Sequence, residues 1–298
     1  MSTLKILVPI DFSDLSLKAL DVAASITKII SDVQVTPYHA YIPVADIDGL
    51  YYMGMGIGSQ VNFAEVEPAI KDRLEQVSLE KIDASLLQKP IVSVGNAPQA
   101  ITEEAKNFDL VIMSTHGRTG FSRFILGSVS EKVLRIAHTP IMIVEQESLI
   151  EPLNKILVTT DFSENSYAAF PWVHLLAKAS GAKVDFVHII KYDEFKNMNT
   201  AQTFASLRKD RMDKLVDEYF ADIKHQIKPE VLLTSESPHE SIFNLHFTRN
   251  YNLICMATIG RTGLKYLTLG STTANVVRTV GAPVLSINPL KNSPEETE

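Results

Sequence analysis

The sequence of 298 residues is poor in the features that most often announce a function. It holds a single cysteine, Cys255. One thiol excludes an intrachain disulfide framework and any zinc site built from cysteines. Its place inside the apolar run Leu-Ile-Cys-Met-Ala (253–257) marks it as a core residue, and the pattern fits a cytoplasmic protein. Long apolar runs are missing too. The longest, at 5–10, 141–144 and 253–256, fall far short of the roughly 20 residues that a membrane span needs. The first residues pass from a few apolar positions straight to Asp11, which predicts neither a secretory signal nor a transit peptide. Basic charge is in deficit, with 28 Lys and Arg against 35 Asp and Glu, a net charge of −7. That argues against a general nucleic-acid surface, but not against one small anion held by backbone amides. There is no Gly-x4-Gly-Lys-[Ser/Thr], no Gly-x-Ser-x-Gly and no His-Glu-x-x-His, so a P-loop, a nucleophile elbow and a zinc-protease helix are all absent. Gly54, Gly56 and Gly58 lack dinucleotide-fingerprint spacing and read as a loop.

What the chain does have is a copy of itself. Residues 5–16, KILVPIDFSDLS, match residues 155–166, KILVTTDFSENS, at eight of twelve positions. Residues 114–128, STHGRTGFSRFILGS, match residues 257–271, ATIGRTGLKYLTLGS, at eight of fifteen. The offset is 150 between Asp11 and Asp161, 149 between His39 and His188, and 143 between Gly117 and Gly260. Preserved order with slippage confined to the middle is the mark of a tandem duplication. The expected domains are therefore 1–148 and 152–298, joined by a short polar linker. An apolar content of 45% with 21% charged residues is ordinary for globular domains of this size.

Each repeat alternates apolar, β-branched runs with helical patterns. In repeat one the strands are expected at 6–10, 33–41, 91–95, 110–115 and 140–145. In repeat two they are expected at 156–160, 183–189, 230–235, 253–258 and 283–288. Helices are read from Leu15, Ala19, Leu20, Ala23 and Ile26, from Ile70, Leu74, Val77 and Ile82, from Pro98 at a first helical position, and over 128–137. Runs apolar on both faces, separated by helices, predict an α/β fold: two tandem doubly wound sandwiches, each on a five-stranded parallel sheet. In such sheets ligands lie at the carboxyl ends of the strands, at the topological switch point.

Two constellations point there. The first is the loop after the fourth strand, with Gly117, nine residues, then Gly127-Ser128 and Ser130. Its copy is Gly260, nine residues, then Gly270-Ser271 and Thr273. A glycine lets backbone approach a ligand, and the helix it leads into offers unpaired amides and a hydroxyl to an anion. The same Gly-Ser pair also reads as a plain helix cap. The second is Asp11 and Asp161, each ending a first strand, where a carboxylate can take a ribose hydroxyl or simply cap a helix. His39 and His188 lie in apolar strands and read as structural, and Trp172 reads as core. His116 stands in the loop, but its copy is Ile259, so a base required in both repeats is ruled out there.

On these residues the chain resembles the universal stress protein family in its tandem form. The resemblance rests on Asp-Phe-Ser after strand one, the Gly-x9-Gly-Ser loop, the helix SVSEKVLRIA and the last strand after Thr139-Pro140. It implies an adenine-nucleotide α-hydrolase-like domain that holds ATP, with Mg²⁺, at the carboxyl edge of the sheet. By that resemblance Asp11 or Asp161 takes the ribose, and Ala40 or Ile189 neighbours the adenine. Gly117, Gly127, Ser128 and Ser130, or Gly260, Gly270, Ser271 and Thr273, hold the phosphates. The family pattern begins with a glycine where this chain has Ser114 and Ala257, and repeat two also replaces the loop histidine with Ile259, which favours repeat one over repeat two as a nucleotide site. It implies a nucleotide-responsive stress module with at most slow ATP hydrolysis. It also implies domains paired within the chain through their last strands, a possible homodimer, and neither nucleic acid nor membrane as partner. A scaffold that has lost nucleotide and a slow ATPase are the alternatives.

Overall fold

A computed structural model of the chain describes residues 3–42, 63–116, 126–258 and 269–289, the side chains of 63–65 excepted. It divides into two compact units, 1–148 and 149–298.

In unit 1 the strands are β1 (Leu4–Pro9), β2 (Val33–Tyr41), β3 (Ile91–Val94), β4 (Leu110–Ser114) and β5 (Ile141–Val144), in spatial order β3-β2-β1-β4-β5. All four ladders are parallel. Helices α1 (Asp14–Ile29), α2 (Phe63–Leu79), α3 (Ala97–Ala105) and α4 (Ser128–Ile136) fill the crossovers. Ile6, Leu7 and Val8 at the centre are wholly buried, as strands covered on both faces must be. Ile26, Ile70 and Leu74 supply fully buried helix faces, while Ile82 lies buried beyond the end of α2.

Pro37 sits inside β2, where a missing donor should break a ladder. It falls between two partners. Val35 bonds to Leu86 and Gln88, and pairing with β3 begins only at Tyr38, opposite Ile91.

Unit 2 repeats the plan with β6 (Lys155–Thr159), β7 (Lys183–Lys191), β8 (Ile227–Thr234), β9 (Leu253–Ala257) and β10 (Val284–Ile287), in order β10-β9-β6-β7-β8, again all parallel. Its helices are α5 (Glu164–Tyr167), α6 (Phe170–Ser180), α7 (Met198–Tyr219), α8 (Pro238–Arg249) and α9 (Ser271–Thr279). Pro229 lies on the edge strand β8, where an absent amide is tolerated. Phe170, Phe186 and Phe220 form a buried aromatic cluster, with Phe170 edge-on to Phe186 at 5.3 Å between centroids. Trp172, expected in the core, is instead half-exposed on α6: its neighbours Phe170 and Val173 take the buried face of that helix.

With strand order 3-2-1-4-5, the chain reverses direction across the sheet between β1 and β4. There the crossover helices leave on opposite faces and a crevice opens at the carboxyl ends.

Candidate functional site

Each unit has a cleft at that switch point. In unit 1 it is lined by Ile10 and Asp11 after β1, His39 and Ala40 at the end of β2, Ser114 and His116 after β4, and Ser130 on α4, with a volume of about 200 Å³. In unit 2 the corresponding lining includes Asp161, Ile189, Ala257, Gly270, Ser271 and Thr273, with a volume of about 280 Å³. Ala257 in place of glycine does not close the second cleft.

The corner after β1 is built by an unusual backbone. Phe12 has φ 66° and Phe162 φ 63°, left-handed values that cost a bulky residue on the order of 1–3 kcal/mol. Packing holds them there. The Phe12 ring lies 5.2 Å from His39 and the Phe162 ring 4.5 Å from His188. Each histidine is fixed in turn, with Nδ1–H donated to the Ile10 carbonyl at 2.6 Å and to the Thr160 carbonyl at 2.7 Å. The turn aims Asp11 and Asp161 at the clefts. Neither Asp is the helix cap. Ser13 and Ser163 are the caps, accepting from the amides of Ser16 and Ser166. Each Asp accepts its cap's hydroxyl, Asp11 at 2.6 Å and Asp161 at 2.5 Å.

The segment after β4 is braced through its carbonyls. Ser130 Oγ donates to Ser114 O at 2.7 Å, Gly127 N to Thr115 O at 2.8 Å, and Ser114 Oγ to His116 O at 2.7 Å. In unit 2, Thr273 Oγ1 donates to Ala257 O and Gly270 N to Thr258 O, both at 2.8 Å. The third brace needs a hydroxyl at 257, and alanine has none. These bonds change the meaning of four predicted residues. Gly127 has φ −63° and Gly270 φ −59°, which any residue can adopt. What demands glycine is space: a Cβ would stand 2.7 Å from Thr115 O, or 2.6 Å from Thr258 O. Ser130 and Thr273 line the clefts, but their hydroxyl protons are already given to main chain. Ser128 and Ser271 are exposed at the first position of their helices. Gly127 and Ser128 stand beside the unit 1 cleft rather than in its lining. Gly117 and Gly260, with Gly54, Gly56 and Gly58, lie outside the described residues.

Sequence reasoning missed the positive φ of the two phenylalanines, for which no local signal exists. It also set aside His116, which the cleft includes. This histidine is 8% exposed. Its Nδ1 meets Thr115 Oγ1 at 2.9 Å, while Nε2 is buried without a hydrogen-bond partner among the described residues. Burial holds its pKa below the usual imidazole value. Burial raises the pKa of the nearby Glu145 carboxyl, against the opposing pull of the Thr115 hydroxyl.

The fold and this geometry agree with the comparisons. The Universal stress protein family model matches residues 3–145 and again 152–288. The chain belongs to the universal stress protein family. A family member from Methanocaldococcus jannaschii is 34% identical over 149 residues, 48% of this chain and 82% of that protein. Universal stress protein E homolog of Haemophilus influenzae is 24% identical over 230 residues, spanning 69% of this chain and 71% of the relative. Among solved structures, a universal stress protein from Archaeoglobus fulgidus covers 96% of this chain and 98% of its own, with 23% identity and a TM-score of 0.65, a likeness of fold. Among the described residues of this tandem member, no helix is long and apolar enough to cross a membrane.

Proposed function

We propose that this universal stress protein binds ATP in its carboxyl-edge clefts and acts as a nucleotide-responsive module. One observation carries the reading. A single cleft in each unit gathers a carboxylate after the first strand, main chain next to the second-strand histidine, and the start of the helix after the fourth strand. Those are the groups that a ribose, an adenine edge and a phosphate chain need, in the order in which a nucleotide presents them. The residues fit the ligand. In this reading the first amides of α4 and α9 serve the phosphate end without a lysine, which suits a chain of net charge −7. Among the described residues no three His, Cys, Asp or Glu side chains converge as metal ligands. An accompanying Mg²⁺ would therefore rest mainly on the phosphates.

Calorimetry on the full chain tests this. ATP is expected to bind, and Ser128→Glu and Ser271→Glu each remove one site while leaving the fold intact, because an acidic residue suits a helix N-terminus and repels phosphate. No heat at millimolar ATP overturns it. A nucleotide-free scaffold is the rival, favoured by the committed hydroxyls of Ser130 and Thr273. ATP recovered from denatured, purified protein would eliminate it. A slow ATPase would release phosphate in a manner abolished by Asp11→Ala. Cytoplasmic residence, pairing of the two domains through their last strands and homodimer formation complete the proposal. Fractionation tests the first, cross-linking the second and sedimentation the third.

A further inference from the structure

The two clefts share a plan but not the same walls. Four equivalent apolar positions line each of them. In unit 1 they are Ala40, Ala97, Ile101 and Met113, and in unit 2 Ile189, Pro238, Ile242 and Met256. Ala40 and Ile189 each follow a buried strand histidine, His39 or His188. Ala97 and Pro238 each open a helix directly after its N-cap, Asn96 or Ser237. Ile101 and Ile242, one helical turn further on, are both buried. Two walls are therefore unchanged. At the other two, the methyl side chains of unit 1 are replaced in unit 2 by a branched aliphatic chain and a proline ring.

The start of the helix after the fourth strand changes the other way. Gly270, Ser271, Thr272 and Thr273 all line the unit 2 cleft, whereas only Val129 and Ser130 of their counterparts line the unit 1 cleft. The unit 2 cleft is the larger, about 280 Å³ against about 200 Å³, although its apolar walls are bulkier. Its added lining is the hydroxyl-bearing helix start. Unit 1 thus keeps small apolar walls, which suit a flat ring, and unit 2 offers more hydroxyls and main chain, which suit phosphate oxygens. Asp11 and Asp161 line their clefts alike, so a sugar meets the same carboxylate in each.

We infer that these two positions set how much of the nucleotide each unit reads: Ala40 and Ala97 let unit 1 bury the base, whereas Ile189 and Pro238 narrow the base end of unit 2, which holds ATP chiefly through sugar and phosphates. The inference rests on the nucleotide reading above and deepens it. The chain then carries one site that reads the base and one that answers to phosphate with little regard to the base. A purine ring laid on apolar side chains gains from the surface it hides, and about 60 Å² hidden is worth about tenfold in affinity. A larger side chain in the ring's seat forces it outward, and that gain is lost.

The test uses two full-length chains, one carrying Ser271→Glu, which leaves unit 1 as the site read, and one carrying Ser128→Glu, which leaves unit 2. In each, calorimetry compares ATP with inorganic triphosphate, which has neither base nor sugar. The preference for ATP is expected to be at least about tenfold larger in unit 1 than in unit 2. Ala40→Ile in the unit 1 chain is expected to lower ATP affinity about tenfold and to leave triphosphate affinity where it was. The decisive variant is Ile189→Ala with Pro238→Ala in the unit 2 chain. It is expected to raise ATP affinity about tenfold with no change for triphosphate, a gain that damage to the fold cannot produce. Helix α8 keeps its start in that variant, because Ser237 and Glu240 retain the capping box. Equal preferences in the two units, or no gain in the widened unit 2, overturns the inference while nucleotide binding stands. Failure of both chains to bind ATP overturns both.

Discussion

At the scale of single residues, the glycines and the strained phenylalanines act through tertiary contacts. Gly127 has ordinary dihedrals, and its lack of a side chain serves the close approach to Thr115 O. Gly127→Ala is expected to destabilise unit 1 by about 1–3 kcal/mol, because a Cβ at 2.7 Å from backbone must move the helix or the strand end. Gly281→Ala, with open space around its position, is expected to be neutral or slightly stabilising. Urea titration of the two variants decides it, and equal effects would show that the approach is not tight. Phe12 and Phe162 make the opposite point. The sequence offers an aromatic where a small residue would turn more cheaply, and only the ring's seat on His39 or His188 makes the turn affordable.

Among the elements, helix α1 begins just after Asp11, which the sequence offers as a candidate cap. The structure selects Ser13, whose hydroxyl accepts from Ser16 N at 3.2 Å and donates to Asp11 at 2.6 Å. Ser13→Ala is expected to cost about 1 kcal/mol and also to loosen Asp11. A chemical denaturation midpoint that did not move would refute the capping role. Between β7, β8 and α8 lies a network that no sequence pattern announced. Arg249 binds Glu230 through two bonds of 2.8 Å and Asp185 at 3.0 Å, and Tyr251 Oη donates to Asp185 at 2.5 Å. Asp185 is 5% exposed, so removing Arg249 leaves a buried carboxylate with only Tyr251 and the more distant Lys155 to balance it. Arg249→Met is expected to cost about 3 kcal/mol. The Arg249 guanidinium holds the Glu230 pKa below the usual carboxylate value. The folded carboxylate thus takes its proton at lower pH than the unfolded chain does. Its contribution is complete above the unfolded value of about 4.3 and is lost as pH falls through the lower folded one. Glu230→Gln should flatten the stability profile of unit 2 over that acidic window and leave it unchanged near neutrality in slope. A profile as steep as the parent's would reject the assignment.

For the whole molecule, the network sits in unit 2 alone among the described residues. The ion pairs described in unit 1, such as Lys81–Asp21 and Lys106–Glu103, join side chains that are largely solvated. Acid is therefore expected to open unit 2 before unit 1, as hydrogen exchange read peptide by peptide would show. Simultaneous loss of protection in both units would contradict it. Unit 2 also carries both intrinsic probes, Trp172 and Cys255. Cys255 is wholly buried, and burial pushes its thiol far above the normal range. A thiol reagent is expected to label it only at the rate at which unit 2 opens, and rapid labelling of native protein would show the burial to be wrong.

Duplication, fold class and the edge of the sheet that holds the clefts were legible in the sequence. They depend on repeated words and on apolar runs, and hydrophobic periodicity is a local property. Asp11 and Ser130 were nameable for the same reason, one at the end of a strand and the other in the first turn of a helix at the carboxyl edge, whereas Ala40 and Ser114 were named only through the family resemblance. Which of them carry a proton to a ligand was not legible. That depends on where Ser114, Ser130 and Thr273 spend their hydroxyls, and those acceptors lie on main chain brought close only by folding. His116 shows the same limit. The difference from Ile259 was visible in the sequence and spoke against a shared base. Only the fold showed that His116 is buried, lines the unit 1 cleft and holds Thr115 Oγ1 through Nδ1 at 2.9 Å.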